Sequence, residues 1–373
     1  MQFSLNEVQK EIQENSTKIL KDNIDLLNTI QQVDENCRID RKIWSLVNEQ
    51  GWLALDVPEE LGGLGFSSAD ASILSEVLGY FMPIIPTFSS GIVFKNLLLS
   101  SSENIRDELL PEIISGEKIG TYAIYESSSY ELSAENVSSE LSTHPDGYVL
   151  NGSKKYVMFG DVSEYIAVLA KFDQNLMFVL VNAEQSGVTI TETTSLDQTR
   201  PMCSINFENV EIPSSSVMIE LDENLSQWEH VKNKALGFLS MEQVGGAQAC
   251  LDMATQYAKE RIQFGRPIGS FQAIQHICAN MLVQLESAKS VAYSSVRVDE
   301  SDRVELEMST MLAKSYCSEV FNKIAGDNIQ VHGGIGFTWE HPAHLYFKKA
   351  KSDSLLLSTP KIARDRIASL LSI

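Results

Sequence analysis

The sequence is poor in basic residues, and it contains no long apolar run. Its 373 residues include 29 lysines and arginines against 50 aspartates and glutamates, which gives a formal net charge of −21. This charge repels nucleic-acid backbones and anionic lipid surfaces, so we expect neither nucleic acid nor a membrane as a partner. A few local cations and helix N-termini are still sufficient to bind the phosphates of a small ligand.

Cysteine is also scarce, and the sequence contains no Cys-x-x-Cys pair. The five cysteines are odd in number and widely spaced, which argues against a disulfide framework and against a metal site: Cys37, Cys203, Cys250, Cys278 and Cys317. No window reaches the roughly 18 apolar residues of a membrane span, and the N-terminus lacks the basic and apolar regions of a signal peptide. We therefore expect a cytoplasmic protein with reduced cysteines and no metal.

Hydrophobic periodicity divides the chain into three segments. Helical spacing dominates residues 1–118, alternation with a period of two dominates 119–222, and helical spacing returns over 223–373. This pattern predicts an α+β fold with an N-terminal helical domain, a middle antiparallel β domain and a C-terminal four-helix bundle. The predicted bundle helices are 232–263, 270–298, 303–330 and 342–370.

Turn residues mark three further features of the chain. Val57–Phe66 contains a proline and three glycines, so it is predicted to be a structured loop. A helix is predicted from Ser68, with a serine as its cap. The Asn151-Gly152 pair lies between two alternating runs, which is the pattern of a hairpin turn between two strands.

The most informative stretch runs from Leu251 to Gln275. One helix is predicted to end at Gly265, and the next is predicted to begin at Ser270. Arg261 would then lie in the last turn of the first helix and Gln272 in the first turn of the second. A cation next to helix N-terminal donors can bind a diphosphate. A surface arginine in an ordinary helix-turn-helix has the same spacing, so both interpretations remain open.

Tyr257–Phe271 resembles the signature of the acyl-CoA dehydrogenase superfamily, in which an Arg, a Phe-Gly and a Gln line the FAD of a neighbouring subunit. Gln330–Phe337 is similar to the Gln-x-x-Gly-Gly-x-Gly loop of the family, whose glycines let the backbone approach the flavin's diphosphate or adenosine part. Pro58–Gly65 and Ile205–Pro213 also resemble family segments, so the resemblance covers nearly the whole chain. It implies FAD as the cofactor and an α, β, α order of domains.

The resemblance also implies individual site residues. The residues expected to contact FAD are Arg261, Phe264, Gln272, Gln330, Gly333, Gly334, Tyr122, Tyr156, Met158 and Thr359. Asp252 and Thr255 match positions that contact the acyl-CoA in relatives, although Asp252 also fits a solvated helix residue. Lys154–Val168 looks like a branch of the superfamily that includes enzymes of steroid side-chain breakdown, several of which are heteromeric assemblies.

Near the flavin ring the sequence departs from the family pattern. Relatives usually carry a Thr-Glu-Pro-x-Ala-Gly-Ser segment beside the flavin. The equivalent stretch here is Tyr122–Tyr130, which matches well only at Tyr122 and Glu126. The Trp-x-Thr of relatives is replaced by Tyr156-Val-Met158, which lacks the hydroxyl expected near the reactive flavin nitrogen. Binding at the ring therefore differs from that in most relatives.

Neither position at which the family keeps its catalytic base holds a carboxylate. Abstraction of an α-proton needs a desolvated carboxylate with a raised pKa, but the two positions hold Leu357 and Leu239. Glu242 lies one helical turn after Leu239 among apolar and small residues, so it is the candidate base. An ion pair with a lysine or arginine is the competing interpretation.

These observations favour an FAD-dependent acyl-CoA dehydrogenase that desaturates a CoA thioester and passes electrons to an electron-transfer flavoprotein. The missing base also raises two alternatives: a non-catalytic partner subunit of a heteromeric enzyme, and a relative with altered chemistry on the same scaffold. The resemblance implies a homo- or hetero-oligomer, a dimer or a dimer of dimers (a tetramer), in fatty-acid or steroid side-chain catabolism. The sequence does not specify the length or shape of the acyl chain.

Overall fold

The structure is a computed structural model that describes residues 5–126, 130 and 132–373. Helices occupy both ends of the described chain: α1 Glu7–Asn23, α2 Leu26–Asp34, α3 Arg41–Glu49, α4 Ser68–Phe81, α5 Lys95–Leu99, α6 Glu103–Ile114, α7 Ser226–Glu260, α8 Gln272–Ser295, α9 Arg303–His332, α10 Ala343–Asp353 and α11 Pro360–Leu370. Strands occupy the middle, with one short hairpin between α7 and α8: β1 Gly120–Ala123, β2 Glu140–His144, β3 Gly147–Met158, β4 Tyr165–Phe172, β5 Asn175–Asn182, β6 Val188–Thr193, β7 Met202–Pro213, β8 Val217–Glu220, β9 Ile262–Gln263 and β10 Arg266–Pro267. This order confirms the predicted fold class.

The middle strands form one sheet in the order β6-β7-β3-β2-β4-β5-β8, and β1 pairs with β4. Most neighbours are antiparallel, as predicted, but β4 pairs in parallel with both β1 and β2. One face of the sheet carries an apolar core that includes Leu150, Val168, Val179, Phe207 and Ile212. The alternation with a period of two arises from this arrangement, because successive residues of a strand point to opposite faces.

The prediction of a hairpin turn at Asn151-Gly152 is wrong. β3 continues through this pair, and its register with β7 shifts between Leu150 and Gly152. Gly152 has a φ of +147°, and a Cβ there would lie 2.5 Å from the hydroxyl oxygen of Ser139. Asn151 accepts a hydrogen bond from the backbone N–H of Asn209 at 2.8 Å. The pair therefore forms an irregularity within one strand, where only glycine fits the close approach.

The fourth predicted bundle helix, 342–370, is two helices. α10 ends at Asp353, and α11 begins at Pro360. Leu357 between them has a φ of +59°, which a continuous helix does not allow. Thr359 caps α11 by accepting a hydrogen bond from the backbone N–H of Ile362 at 3.2 Å, and Pro360 suits the first helical position.

The loop and cap predictions in the first part of the chain are confirmed with one shift. Val57–Phe66 is a loop with one short 3₁₀ turn, Glu59–Leu61, and Gly62 and Gly65 have positive φ. The cap of α4 is Ser67, one residue earlier than the predicted start. Its side chain accepts from the backbone N–H of Asp70, whose carboxylate bonds back to the backbone of Ser67. This is a capping box, which fixes the start of α4.

By its internal contacts the chain divides into two compact units. The first comprises Met1–Asn36, Ser67–Pro83 and Leu236–Ile373, and the second comprises Cys37–Phe66 and Ile84–Ala235. The three-domain division at 118 and 222 stays a prediction. Among the described residues, no helix is both long and apolar enough to cross a membrane.

Two glycines set the crossing of α4 and α7 inside the first unit. A Cβ at Gly79 would lie 1.9 Å from the carbonyl oxygen of Glu242. A Cβ at Gly245 would lie 1.8 Å from the carbonyl oxygen of Glu76. The two helix backbones therefore touch at this crossing, which no larger residue allows without displacement.

Candidate cofactor and base sites

The two glycine-containing motifs of the sequence meet in the first unit. The ring of Tyr257, near the end of α7, stacks on the ring of His332, the last residue of α9, with centroids 4.3 Å apart. The loop that begins at Gly333 therefore lies beside the end of α7, where Arg261 follows. Sequence spacing alone did not reveal this contact, because the two residues are far apart in the chain.

The first motif differs from its prediction in detail. α7 ends at Glu260 rather than at Gly265, and α8 begins at Gln272 rather than at Ser270. The intervening residues form the β9–β10 hairpin, in which Phe264 and Gly265 have φ values of +53° and +77°. Two successive positive φ values are typical of a two-residue hairpin turn and end the helix early. Arg261 is consequently the residue that follows α7.

The hairpin presents its side chains outward. Phe264 at its tip is 92% exposed, and both Arg261 and Gln272 are exposed. By contrast, the guanidinium of Arg266 lies 4.3 Å above the ring of Phe271. Among the described residues no aromatic ring lies under the guanidinium of Arg261, so this exposed group suits a phosphate ligand.

The second motif leaves its backbone open at two glycines. Gly333 has a φ of +62°, and an added Cβ at Gly333 or Gly334 would meet nothing within 4 Å. Gly336 is tighter, because a Cβ there would lie 2.7 Å from the Cβ of His332. Gln330, one turn earlier on α9, is exposed. An exposed guanidinium beside an open, glycine-rich backbone fits the diphosphate of FAD.

The residues predicted near the flavin ring belong to the second unit. Tyr122 is buried with its ring 6.4 Å from that of Trp228, and burial raises the pKa of its hydroxyl while the nearby Arg200 partly offsets this rise. Met158 is also buried, and its carbonyl accepts a hydrogen bond from the Thr121 hydroxyl at 2.6 Å. Tyr156 is half exposed with a φ of +59°. Their contact with a flavin stays a prediction.

Glu126 has a structural role in the same unit. Burial alone would raise the pKa of its carboxyl, but the ammonium of Lys154 at 2.6 Å and the backbone N–H groups of Ser138 and Ser139 lower it to about 2. A carboxylate held in its charged form by these donors is a poor proton acceptor. Ser127–Ser129, in the rest of this departing stretch, lie outside the described residues.

At the base positions the structure places apolar side chains and an ion pair. Leu239 and Leu357 are both buried. The Glu242 carboxylate lies 2.7 Å from the ammonium of Lys349 on α10, and the two side chains are 13% and 4% exposed. Lys349 also lies 3.7 Å from Asp353. Because a close cation favours the charged form of a carboxylate, this pairing makes Glu242 a weaker base. The sequence offered no signal for Lys349, which comes from a distant helix.

The two predicted substrate residues lie close together on α7. Asp252 accepts hydrogen bonds from the Tyr80 hydroxyl at 3.2 Å and from the Gln248 amide at 2.8 Å. The hydroxyl of Thr255 donates to the carbonyl of Asp252 at 3.0 Å. Asp252 also lines a cavity of about 800 Å³ between α1, α4, α7 and α8. Contact with an acyl-CoA stays a prediction for both residues, as does FAD contact for the helix cap Thr359.

Comparison with known proteins identifies the family. Residues 6–117 match the N-terminal domain of acyl-CoA dehydrogenases, and residues 237–371 match their C-terminal domain. The chain is 32% identical to acyl-CoA dehydrogenase IpdE2 of Mycolicibacterium smegmatis over 323 residues, which cover 86% of this chain and 85% of that protein. It is 27% identical to the short/branched chain specific acyl-CoA dehydrogenase of Rattus norvegicus, over 91% of this chain and 80% of that protein.

Two solved structures show the same fold. Butyryl-CoA dehydrogenase from Megasphaera elsdenii gives a TM-score of 0.92 at 19% identity and covers 100% of both chains. A chain of the ChsE4–ChsE5 complex from Mycobacterium tuberculosis gives 0.88 at 23% identity and covers 100% of this chain and 99% of that one. The chain thus belongs to the acyl-CoA dehydrogenase family, whose members are FAD-dependent oxidoreductases. The predicted family, cofactor and enzyme class are confirmed at this level.

Proposed function

We propose that this chain is a subunit of a heteromeric, FAD-dependent acyl-CoA dehydrogenase, in which a second, different chain supplies the catalytic base. The reaction would be the α,β-desaturation of a CoA thioester, with an electron-transfer flavoprotein as electron acceptor. Its substrates would be CoA thioesters of fatty acids or of steroid side chains. The single observation that carries the proposal is the ion pair between Glu242 and Lys349.

The three positions considered for the catalytic base hold two leucines and one paired glutamate. Leu239 and Leu357 have no proton acceptor, and both are buried. Glu242 is the nearest carboxylate on the same face of α7, but the ammonium of Lys349 at 2.7 Å stabilises its charged form. Proton abstraction from a carbon next to a thioester needs the opposite environment, one that raises the pKa of the carboxyl. A base from another chain resolves this conflict.

The cofactor motifs are kept, in contrast with the base. Bound FAD would accept the hydride equivalent, and the residues of this chain would bind and orient it. Arg261 would pair with the diphosphate, Gly333 and Gly334 would offer open backbone, and Gln272 and Gln330 would add hydrogen bonds. Tyr122, Tyr156 and Met158 are proposed for the ring.

Exposed apolar side chains beside the cofactor motifs support an assembly of subunits. Phe264 is 92% exposed, Phe337 is 75% exposed and Ile262 is 61% exposed. Large apolar side chains that are exposed in a single chain are typical of protein–protein contacts. One of the structural neighbours was solved as the ChsE4–ChsE5 complex, which contains two different chains. A dimer of dimers with a second chain is therefore proposed for this protein.

The test is reconstitution with the product of a neighbouring reading frame. Flavin absorbance and its bleaching by a series of acyl-CoAs are recorded for the chain alone, for the partner alone and for the mixture. We expect bleaching only in the mixture, together with a larger species in light scattering. Substrate-driven bleaching by the purified chain alone would overturn the partner-subunit proposal while leaving the family assignment intact.

A self-sufficient dehydrogenase with Glu242 as its base is the second candidate. It is favoured by the apolar surroundings of Glu242 on α7, where Leu239, Met241 and Val244 are all buried. In that case Glu242→Gln would slow bleaching by roughly 10²–10⁴ or more, because a proton acceptor is lost. Under the partner-subunit proposal the same change would leave the rate of the mixed enzyme unchanged.

A further inference from the structure

Two histidines join the predicted cofactor loop to the helix beside it. The ring of His332 lies between two others: it stacks on Tyr257 at 4.3 Å, and it faces the ring of His341 at 4.4 Å. His332 immediately precedes Gly333, and His341 lies shortly before α10, so the pair closes the base of the segment 333–340. We propose that His332 and His341 are positioning residues that hold this loop beside the end of α7, and that protonation of the pair releases it. This inference rests on the proposed cofactor role of the loop.

Hydrogen bonding at the pair requires a neutral His341. The backbone N–H of Ala343 donates to Nδ1 of His341 at 3.2 Å, so this nitrogen must carry a lone pair rather than a proton. Nδ1 of His332 lies 2.9 Å from the carbonyl oxygen of Asn328, which can only accept, so this nitrogen carries the proton. A second proton on His341 would break its bond to Ala343 and bring positive charge against the face of His332.

Imidazoles and a cation around the pair disfavour protonation, and one carboxylate opposes them. From α10 come His344 and the ammonium of Lys348, which lies 3.9 Å from the ring of Trp339. His344 stacks on that same ring at 4.7 Å. α7 contributes the phenol of Tyr257, and α2 contributes the carboxylate of Asp34, which bonds the indole N–H of Trp339. Asp34 is the one carboxylate among these groups, and it acts on His344. The N-terminus of α10 adds a partial positive charge.

These surroundings lower the pKa of all three histidines. Burial, followed by the two neighbouring imidazoles, lowers the pKa of His341 from 6.5 to about 4. Burial also lowers the pKa of His332 and of His344. Because the folded pKa lies below the unfolded value, the open loop binds protons more readily than the closed loop. The closed state is therefore stable above about pH 6.5 and loses stability as the pH falls towards 4.

The consequence for the cofactor site is geometric. Gly336 lies close to His332, because a Cβ at this glycine would be only 2.7 Å from the Cβ of His332. If His332 and His341 separate, the Gly333–Phe337 turn loses the support that keeps its backbone beside Arg261. A ligand bound by both motifs would then lose its contacts with the Gly333–Phe337 turn. Neutral imidazoles thus keep the cofactor loop in position, and acid releases it.

The test uses hydrogen exchange of the full chain, which needs no bound cofactor. Amide protection of the segment 333–342, in which Pro342 has no amide proton, is corrected for intrinsic exchange and measured between pH 7 and pH 5. We expect it to fall by roughly tenfold or more in the wild type, because protons bind the open loop preferentially. His341→Gln keeps an acceptor for the Ala343 N–H and cannot be protonated, and only His332 of the pair then titrates, so its protection should fall clearly less than that of the wild type. His276→Gln, an exposed histidine of α8, is the matched control and should behave like the wild type.

FAD retention after gel filtration at the same pH values is the second measurement. A wild type that loses FAD towards pH 5 more readily than His341→Gln is the expected result. Protection of 333–342 that is constant between pH 7 and 5, or that falls equally in His341→Gln, would overturn the inference. If protection falls as expected but no FAD is bound at any pH, the histidine pair stands and the proposed cofactor role fails. If His341→Gln is unfolded, His341→Asn, which also offers an oxygen acceptor and cannot be protonated, replaces it.

Discussion

The portion of helix α7 that belongs to the first unit, Leu236 to Glu260, has opposite designs at its two ends. Around Glu242 the helix is closed: a glycine crossing brings α4 into backbone contact, and a buried lysine neutralises the carboxylate. Around Arg261 it is open: the hairpin tip, the guanidinium and two glycines face outward. In an enzyme that carries its own base, the reacting carboxylate would be the accessible group. Here the accessible groups are those suited to binding a phosphate and a second chain.

This difference separates binding from catalysis within one chain. Groups that hold a cofactor act by contact, so they have to be exposed until the ligand or the neighbouring subunit covers them. A carboxylate paired with a buried ammonium contributes to folding, because removal of either partner leaves an uncompensated charge. Substitutions at the closed and at the open end should therefore affect different properties, stability at the first and FAD binding at the second.

Glu242→Gln tests the closed end. The change removes the nearer of two carboxylates at the buried ammonium of Lys349 and leaves Asp353 at 3.7 Å, so we expect the free energy of unfolding to fall by at most about 3–5 kcal/mol. Urea unfolding followed by circular dichroism measures it. The double variant Glu242→Gln/Lys349→Met removes both charges and should recover most of the loss. Glu286→Gln, on the exposed face of α8, is the control. A change below 1 kcal/mol in Glu242→Gln would show that the pair is not structural.

The sequence predicted the class of this site better than its geometry. Helix and strand periodicity predicted the fold class, and the resemblance of the glycine motifs to those of a known family implied the cofactor. What failed is determined by contacts between distant residues or by backbone angles. Lys349 lies more than a hundred positions from Glu242, and Tyr257 gave no sign of His332. The positive φ values of Phe264 and Leu357 ended helices that apolar periodicity alone would continue. The turn prediction at Gly152 failed for the same reason, because the residue that requires a glycine there, Ser139, is distant in the sequence.

Arg261→Ala tests the open end. If the guanidinium pairs with the FAD diphosphate, its loss should weaken FAD binding by about 1.5–3 kcal/mol, the range for a hydrogen bond to a charged group. The dissociation constant of FAD, measured by flavin fluorescence titration of the assembled protein, would rise at least tenfold. Arg106→Ala, on α6 of the second unit, should leave it unchanged. Equal FAD affinity in the wild type and Arg261→Ala would remove Arg261 from the cofactor site.

Gly245→Ala tests whether the closed end depends on the helix crossing. A methyl group there would lie 1.8 Å from the carbonyl of Glu76, so α4 must move, and we expect a loss of about 1–3 kcal/mol in unfolding free energy. Gly326→Ala on α9 is the matched control. Its Cβ would meet only the Phe347 ring at 3.7 Å, so higher helix propensity should stabilise it by about 0.5–1 kcal/mol. Thermal unfolding of both variants decides between a required crossing and a tolerant one.

Asp56 in the second unit provides a reference for the behaviour of a purely structural carboxylate. It is buried against the ammonium groups of Lys95 and Lys234. Burial alone would raise the pKa of its carboxyl, but the two lysines lower it from 3.8 to about 2. Because the folded pKa lies below the unfolded one, Asp56 contributes stability above about pH 4, and this contribution is lost as the pH falls towards 2.

The shift corresponds to about 2 kcal/mol in total, of which about 1 kcal/mol is lost by pH 3. Urea unfolding of the wild type and of Asp56→Asn at pH 6 and pH 3 measures the change. The stability advantage of the wild type over the variant should shrink by that amount at pH 3, while Asp107→Asn on the surface of α6 should show no such change. The same comparison is made between the wild type and Glu242→Gln. If the stability advantage of the wild type shrinks at low pH as it does for Asp56, Glu242 belongs with the structural carboxylates. A wild type that instead loses stability relative to Glu242→Gln as the pH rises above about 4 would show a carboxyl with a raised pKa, as a catalytic base requires.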